Sequence, residues 1–68
     1  MTGYRYRVVR ERANLKSRPI DFVCRKRLRE GRPITIDQES WIIRKIDPDG
    51  AGQNYDGFVW AVEPDPMQ

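Results

Sequence analysis

Thirteen consecutive residues, IDFVCRKRLREGR (20–32), hold five cations: Arg25, Lys26, Arg27, Arg29 and Arg32. Near the N-terminus, Arg5 and Arg7 alternate with Tyr4 and Tyr6. Guanidinium groups at this density suit a polyanion, because each one that neutralises a phosphate releases condensed counterions. Phenol rings among them add flat surfaces on which bases can stack. Arg5, Arg7, Arg25, Arg27 and Arg29, with Tyr4 and Tyr6, are therefore expected to form a binding face for DNA or RNA. The competing expectation is a solvated basic face, partly covered by Asp47, Asp49, Asp56 or Asp65.

Other chemistry has few residues to work with. There is no histidine, so no imidazole can activate a nucleophile. Ser17 and Ser40 have no base beside them in the sequence, and Asp37 and Glu39 fall in a turn with no evident cleft. Cys24 is the single cysteine, which excludes an internal disulfide and a zinc site of several thiolates. It alternates with Ile20 and Phe22, a position where a thiol is an inert small hydrophobe; if exposed, its basic neighbours would lower its pKa. The segment DPDGAGQNYDG (47–57) fails as a calcium loop. Counting Asp47 as the first position, Ala51 stands fifth and Phe58 twelfth, where an oxygen ligand and a glutamate are needed. No glycine-rich phosphate loop is present. The chain reads as a non-enzymatic protein without cofactor or metal.

Charge sharpens the binding expectation. The 68 residues carry 13 Lys and Arg against 10 Asp and Glu, a net charge of +3. Residues 1–34 hold 11 of the cations and 3 of the acids, a net +8, whereas 35–68 hold 2 and 7, a net −5. Such asymmetry points to a polyanion partner, or to an acidic half that folds back on the basic one. The opening MTGYRYRVVRER lacks the apolar core of a signal peptide. No apolar run approaches the ~20 residues of a membrane helix, and a lone cysteine fits a reducing compartment. A soluble cytoplasmic protein with no membrane partner is expected. So short a chain buries little, so a homodimer stands beside a monomer.

The elements that must hold these residues are short. Tyr4, Tyr6 and Val8 alternate with Arg5, Arg7 and Val9, the period of a strand. ANLKSRP (13–19) has loop composition. ITID (34–37) and SWIIRKI (40–46) flank Gln38-Glu39 as a tight hairpin, and FVWAVE (58–63) is a last strand with Phe58, Trp60 and Val62 on one face. That face is assigned to the core, as a small domain needs its aromatics buried. The tyrosines, whose phenols tolerate water, are assigned to the surface. Residues 64–68 read as a flexible tail after a single domain over 3–63.

The segment 20–32 admits two conformations. A helix at about 19–30 is favoured by Pro19 in its first turn, Asp21 near its start and Gly31 at its end. A strand turns Ile20, Phe22, Cys24 and Leu28 to one face with fewer misplaced residues, and β-prone Phe-Val-Cys agrees. The strand gives an all-β fold, a small five-stranded antiparallel barrel of SH3-like or OB-like type; the helix gives an α+β fold on a small antiparallel sheet. The pattern Leu28-x-x-Gly31-x-x-Ile34-x-Ile36, followed by Trp41-x-Ile43, resembles SH3-like barrels.

If the first two strands pair with Arg12 opposite Ile20, Arg5 faces Arg27 and Arg7 faces Arg25. Like charges directly opposed destabilise a sheet, so that face would need a counter-charge, which a phosphate backbone supplies. The expected function is thus a binding module for nucleic acid acting through a basic N-terminal face. The alternative is a protein-interaction or regulatory module using the 13–19 and 47–57 loops.

Overall fold

The computed structural model of the protein describes residues 3–64. The fold is all-β: β1 Tyr4–Arg12, β2 Leu15–Lys16, β3 Ile20–Cys24, β4 Pro33–Ile36, β5 Glu39–Asp47 and β6 Gly57–Val62. No helix forms at 19–30 among the described residues; Ile20–Cys24 is a strand and 25–32 is irregular. The tail beyond Pro64 lies outside the described residues.

Two units build the sheet. In the first, β1 turns back on itself through Ala13-Asn14, both at positive φ (51° and 66°). This is a two-residue hairpin turn of the kind whose twist matches the flanking strands. Arg12 pairs with Leu15 and Glu11 with Lys16. Pairing resumes with Val8 opposite Ile20 and runs to Tyr4 opposite Cys24. Between these stretches the returning strand carries one extra residue, so Arg18 and Pro19 oppose Val9, a β-bulge. Ser17 stabilises the step: its N–H donates to the Arg10 carbonyl at 2.8 Å, and its hydroxyl accepts from the Arg10 N–H at 3.0 Å. Pro19, with no N–H to offer a ladder, suits the bulge. The expected loop at 13–19 is therefore a tight turn and a bulge.

The second unit is a meander of β4, β5 and β6. Its first turn is Asp37-Gln38, again both at positive φ (52° and 69°), so the hairpin turns one residue earlier than Gln38-Glu39. Between β5 and β6 a second bulge lies at Arg44, after which Lys45 pairs with Trp60 and Ile46 with Val59. The bulge changes which alternate residues face inward, from Trp41 and Ile43 to Ile46.

β1 and β6 join the units as parallel neighbours, Tyr6 opposite Gly57 through Glu11 opposite Val62. The order is β2-β1-β6-β5-β4, with β3 on the same edge of β1 as β2. The sheet is thus six-stranded, mixed and not closed. It replaces the expected five-stranded antiparallel barrel because β1 and β6 run in the same direction and β3 and β4 are not paired.

One face holds the core: Tyr6, Val8, Ile34, Ile36, Trp41, Ile43, Val59 and Ala61, with Ile20, Phe22, Cys24 and Leu28 packed at its margin. Val8, Val59 and Ile43 are fully buried, each contributing roughly 1.5–3 kcal/mol of transfer free energy. Two aromatic assignments are corrected. Tyr6 is only 2 % exposed; its ring fills the core and its hydroxyl accepts from the Leu28 N–H at 3.2 Å. Trp60 lies on the other face with Phe58 and Val62, because Gly57, Val59 and Ala61 take the inward positions of β6. β6 is a central strand with parallel and antiparallel neighbours, and both of its faces are apolar, so alternation alone does not say which is inside.

These contacts set two stability measurements by urea unfolding. Replacing Gln38 by glycine removes a non-glycine side chain from positive φ and is expected to raise stability by about 0.5–1 kcal/mol. Tyr6→Phe keeps the ring but orphans the Leu28 N–H, and is expected to cost about 1–2 kcal/mol. Burial raises the Tyr6 pKa above its ordinary 10.0, against the opposing pull of the Leu28 hydrogen bond. A raised folded-state pKa gives stability that is complete below about pH 10 and is lost as pH rises through the folded value. Tyr6→Phe should remove that alkaline loss; an unchanged alkaline limb would place its cause elsewhere.

Candidate nucleic-acid interface

The expected site residues divide by position. Arg25, Lys26, Arg27 and Arg29 are exposed on the irregular segment between β3 and β4. Leu28 anchors that segment, its side chain on the core and its N–H on Tyr6. At its far end the Gly31 N–H donates to the Ile43 carbonyl at 2.7 Å. Glu30, an acid within the run, accepts from the Ile46 N–H at 3.0 Å. The segment is thus pinned at its apolar and glycine positions, and its cations point to water. They rim an open groove of about 790 Å³ between the unpaired edges of β3 and β4, with Phe22, Cys24, Ile34 and Ile43 in its lining.

Arg5 and Arg7 are exposed on the outer face of β1, and the register differs from the expected one. Arg5 faces Val23 and Arg7 faces Asp21, because the tight turn and the bulge shift the pairing four residues from that expected. The like-charge pairs Arg5–Arg27 and Arg7–Arg25 do not occur. Asp21 accepts from the Tyr55 hydroxyl at 2.9 Å, and the Arg7 guanidinium lies 5.9 Å from the Tyr55 ring centroid. Tyr4 is half-buried, with the Arg27 guanidinium 5.6 Å from its ring centroid. It can still meet a ligand, whereas Tyr6 cannot.

Other cations are neutralised internally. Arg12 hydrogen-bonds Glu39, contacts Glu63 at 3.0 Å and lies 4.9 Å from the Trp41 ring centroid. Arg10 sits 3.6 Å from Asp37. The hydrogen bond to Glu39, then that residue's charge, raises the Arg12 pKa, and both keep it cationic. Among the described residues no carboxylate lies within ion-pair distance of Arg5, Arg7, Arg25, Arg27 or Arg29.

Composition alone does not mark a second cationic surface, on the outer sheet face. Phe58 and Trp60 lie there with ring centroids 4.7 Å apart, and the Lys45 ammonium is 5.7 Å from the Trp60 ring centroid. Phe58-x-Trp60-x-Val62 is visible as alternation, but nothing in it says that the set faces outward.

Cys24 offers no activated thiol. Burial, assisted by the charge of Asp56, raises its pKa above the ordinary value, and its S–H donates to the Lys26 carbonyl at 3.0 Å. The 47–57 loop uses its acids internally: Asp47 accepts from the Asp49 N–H at 3.1 Å, and Asp56 accepts from the Arg5 N–H at 2.8 Å. Among the described residues no group of three or more acids and cysteines could hold a metal ion, and no helix is long and apolar enough to cross a membrane. No protein-family model, no curated protein and no solved structure matches the chain.

Alkylation of Cys24 by iodoacetamide should follow a pH midpoint higher in the folded protein than in urea-unfolded chain. A lower midpoint in the folded state would reveal an activated thiolate and reopen a catalytic reading.

Proposed function

We propose that the protein is a small non-enzymatic module that binds nucleic acid through its basic segment 25–32, with Arg5, Arg7 and Tyr4 beside it. The observation that supports this is the division among the cations. Arg10 and Arg12 meet acids of the C-terminal half, while Arg25, Arg27 and Arg29 stand exposed with no carboxylate in reach among the described residues. The backbone of a pinned segment loses little conformational freedom when phosphates bind its guanidinium groups. Small β-domains of SH3-like and OB-like type bind nucleic acid with comparable cationic grooves, although this sheet is not closed into a barrel.

A second reading is a protein-interaction module. It is favoured by the unpaired edge of β3, where Val23 is 65 % exposed, and by Leu15, 75 % exposed on β2. An edge strand of this kind can accept an added strand from a partner. The 47–57 loop remains available for such a contact, whereas 13–19 is too tightly turned to adapt.

Titration of labelled DNA and RNA oligonucleotides across salt concentrations separates the two. Log affinity should fall linearly with log salt. Arg25→Gln with Arg27→Gln should weaken binding at least tenfold at low salt and reduce the slope by roughly 1.5–2. Arg12→Gln should change neither. Absence of binding at low salt would remove the nucleic-acid reading, and a protein complex that survives nuclease would favour the second.

A further inference from the structure

The outer face of the sheet has a composition that burial does not explain. Phe58, Trp60 and Val62 project from β6, the middle of the order β2-β1-β6-β5-β4. All three are half-buried, and none belongs to the core cluster or packs at its margin. Val9, the β1 neighbour of Trp60 on this face, is 7 % exposed and extends the apolar strip sideways. A 68-residue domain has few large aromatics, and two of its four Phe and Trp residues are on this face.

Cations and acids both border the strip: Asp47 is the β5 neighbour of Phe58 and Glu11 the β1 neighbour of Val62. Arg7 is the direct neighbour of Phe58, and Lys45 is the neighbour of Trp60 on the other side. A shallow depression at one end brings Lys16, Arg44 and Lys45, with the single acid Glu11, beside Trp60 and Val62. Arg5, two residues before Arg7, continues the cationic line toward Arg25. The acids of this face are already engaged or matched. Asp21 is held by the Tyr55 hydroxyl, Asp47 by the Asp49 N–H, and Glu11 stands opposite Lys16.

The charge pattern selects the occupant. A second copy docking the same face about a two-fold axis would set two faces that each carry Arg5, Arg7, Lys16, Arg44 and Lys45 against one another, and their surplus positive charge opposes association. A polyanion meets no such opposition. Aromatic side chains on an open sheet offer ring faces, and only a base free of its pairing partner can lie flat on one. A duplex presents phosphates and base edges to such a face and would use its cations alone.

We propose that this face binds unpaired nucleotides of single-stranded nucleic acid. A base stacks on Trp60 beside Phe58, and Lys45 and Arg7 take the neighbouring phosphates. Lys45 leaves the ring when the base arrives, exchanging one contact for a charge-assisted one. The inference rests on the nucleic-acid reading and deepens it: the basic segment supplies general attraction, and the β6 strip supplies preference for single strands.

The test uses the full chain with oligo(dT) and a duplex of equal length at low salt. Trp41 is 4 % exposed, so fluorescence quenching on binding reports Trp60. Oligo(dT) should quench emission and bind more tightly than the duplex. Trp60→Ala should weaken single-strand binding roughly five- to a hundredfold, the range for loss of one stacked base, and change duplex affinity less than twofold. Trp60→Leu keeps apolar volume without a ring face; it should show the same loss and answers for a Trp60→Ala protein that does not fold. Equal affinity for both forms, with no effect of either variant, would overturn the stacking inference. The wider reading would survive if Arg25→Gln with Arg27→Gln still weakened binding at least tenfold. No binding of either form would sink both, and a dimer dissolved by Trp60→Ala would give the face to a second copy instead.

Discussion

The parallel ladder between β1 and β6 is the constraint on which everything else depends. On one side of it stands a bulged hairpin, β1 with β2 and β3; on the other a three-stranded meander, β4 to β6. Neither unit encloses a core. A lone two-stranded hairpin is marginal in water, and the meander leaves one face of Ile43, Val59 and Ala61 uncovered without Tyr6 and Val8 from β1. The ladder also starts from a locked position: Arg5 and Asp56, 51 residues apart, exchange two hydrogen bonds just before pairing begins. Gly57 follows at once, where a Cβ would come within 3.2 Å of the Asp47 carbonyl oxygen and 3.4 Å of the Tyr6 ring. Such long-range closure is entropically costly, which explains the need for tight turns in both units.

Strand direction then decides which charges meet. Because β1 and β6 run together, the end of β6 lies beside the end of β1, and the antiparallel β5 begins at that same end. Asp37, Glu39 and Glu63 are thereby delivered to Arg10 and Arg12. The chain leaves β3 at the opposite end of the β1 ladder, where Tyr4 pairs with Cys24. The acidic half of the sequence folds back on the basic half, as its composition allows, but only over part of it.

How far the sequence was legible follows from the same geometry. The strand period of β1, the inward set Ile20, Phe22 and Cys24, and the hairpin near residue 38 could be read locally, since each depends on neighbours in the chain. The register of β1 against β3 could not. Ala13-Asn14 lacks the glycine that usually marks so tight a turn, and the bulge at Arg18-Pro19 leaves no local signature beyond proline. The register moved by an even number of residues, so the inward face survived and the facing charges did not. The faces of β6 were illegible for a different reason. Val59 and Ala61 compete with Phe58, Trp60 and Val62, and residue size favoured the wrong set. Tyr6 misled through its hydroxyl, which is satisfied inside the fold by a backbone N–H that only the folded 25–32 segment places there. Of the proposed site, the basic cluster was legible as composition; the β6 strip required the topology.

The open seam and the basic surface have one origin. Closing the sheet would require β3 to pair with β4, and the eight residues of 25–32 stand between them. Leu28 fills the apolar side of the gap and bonds to Tyr6, while Pro33 opens β4 without an N–H to donate. With Leu28 turned inward and Glu30 spent on the Ile46 N–H, the remaining long side chains are cationic, and water is the only place left for them. A segment of the same length but mixed charge would fill the seam as well. Filling the seam explains the leucine and the glutamate of this segment, but no carboxylate among the described residues accounts for Arg25, Arg27 and Arg29.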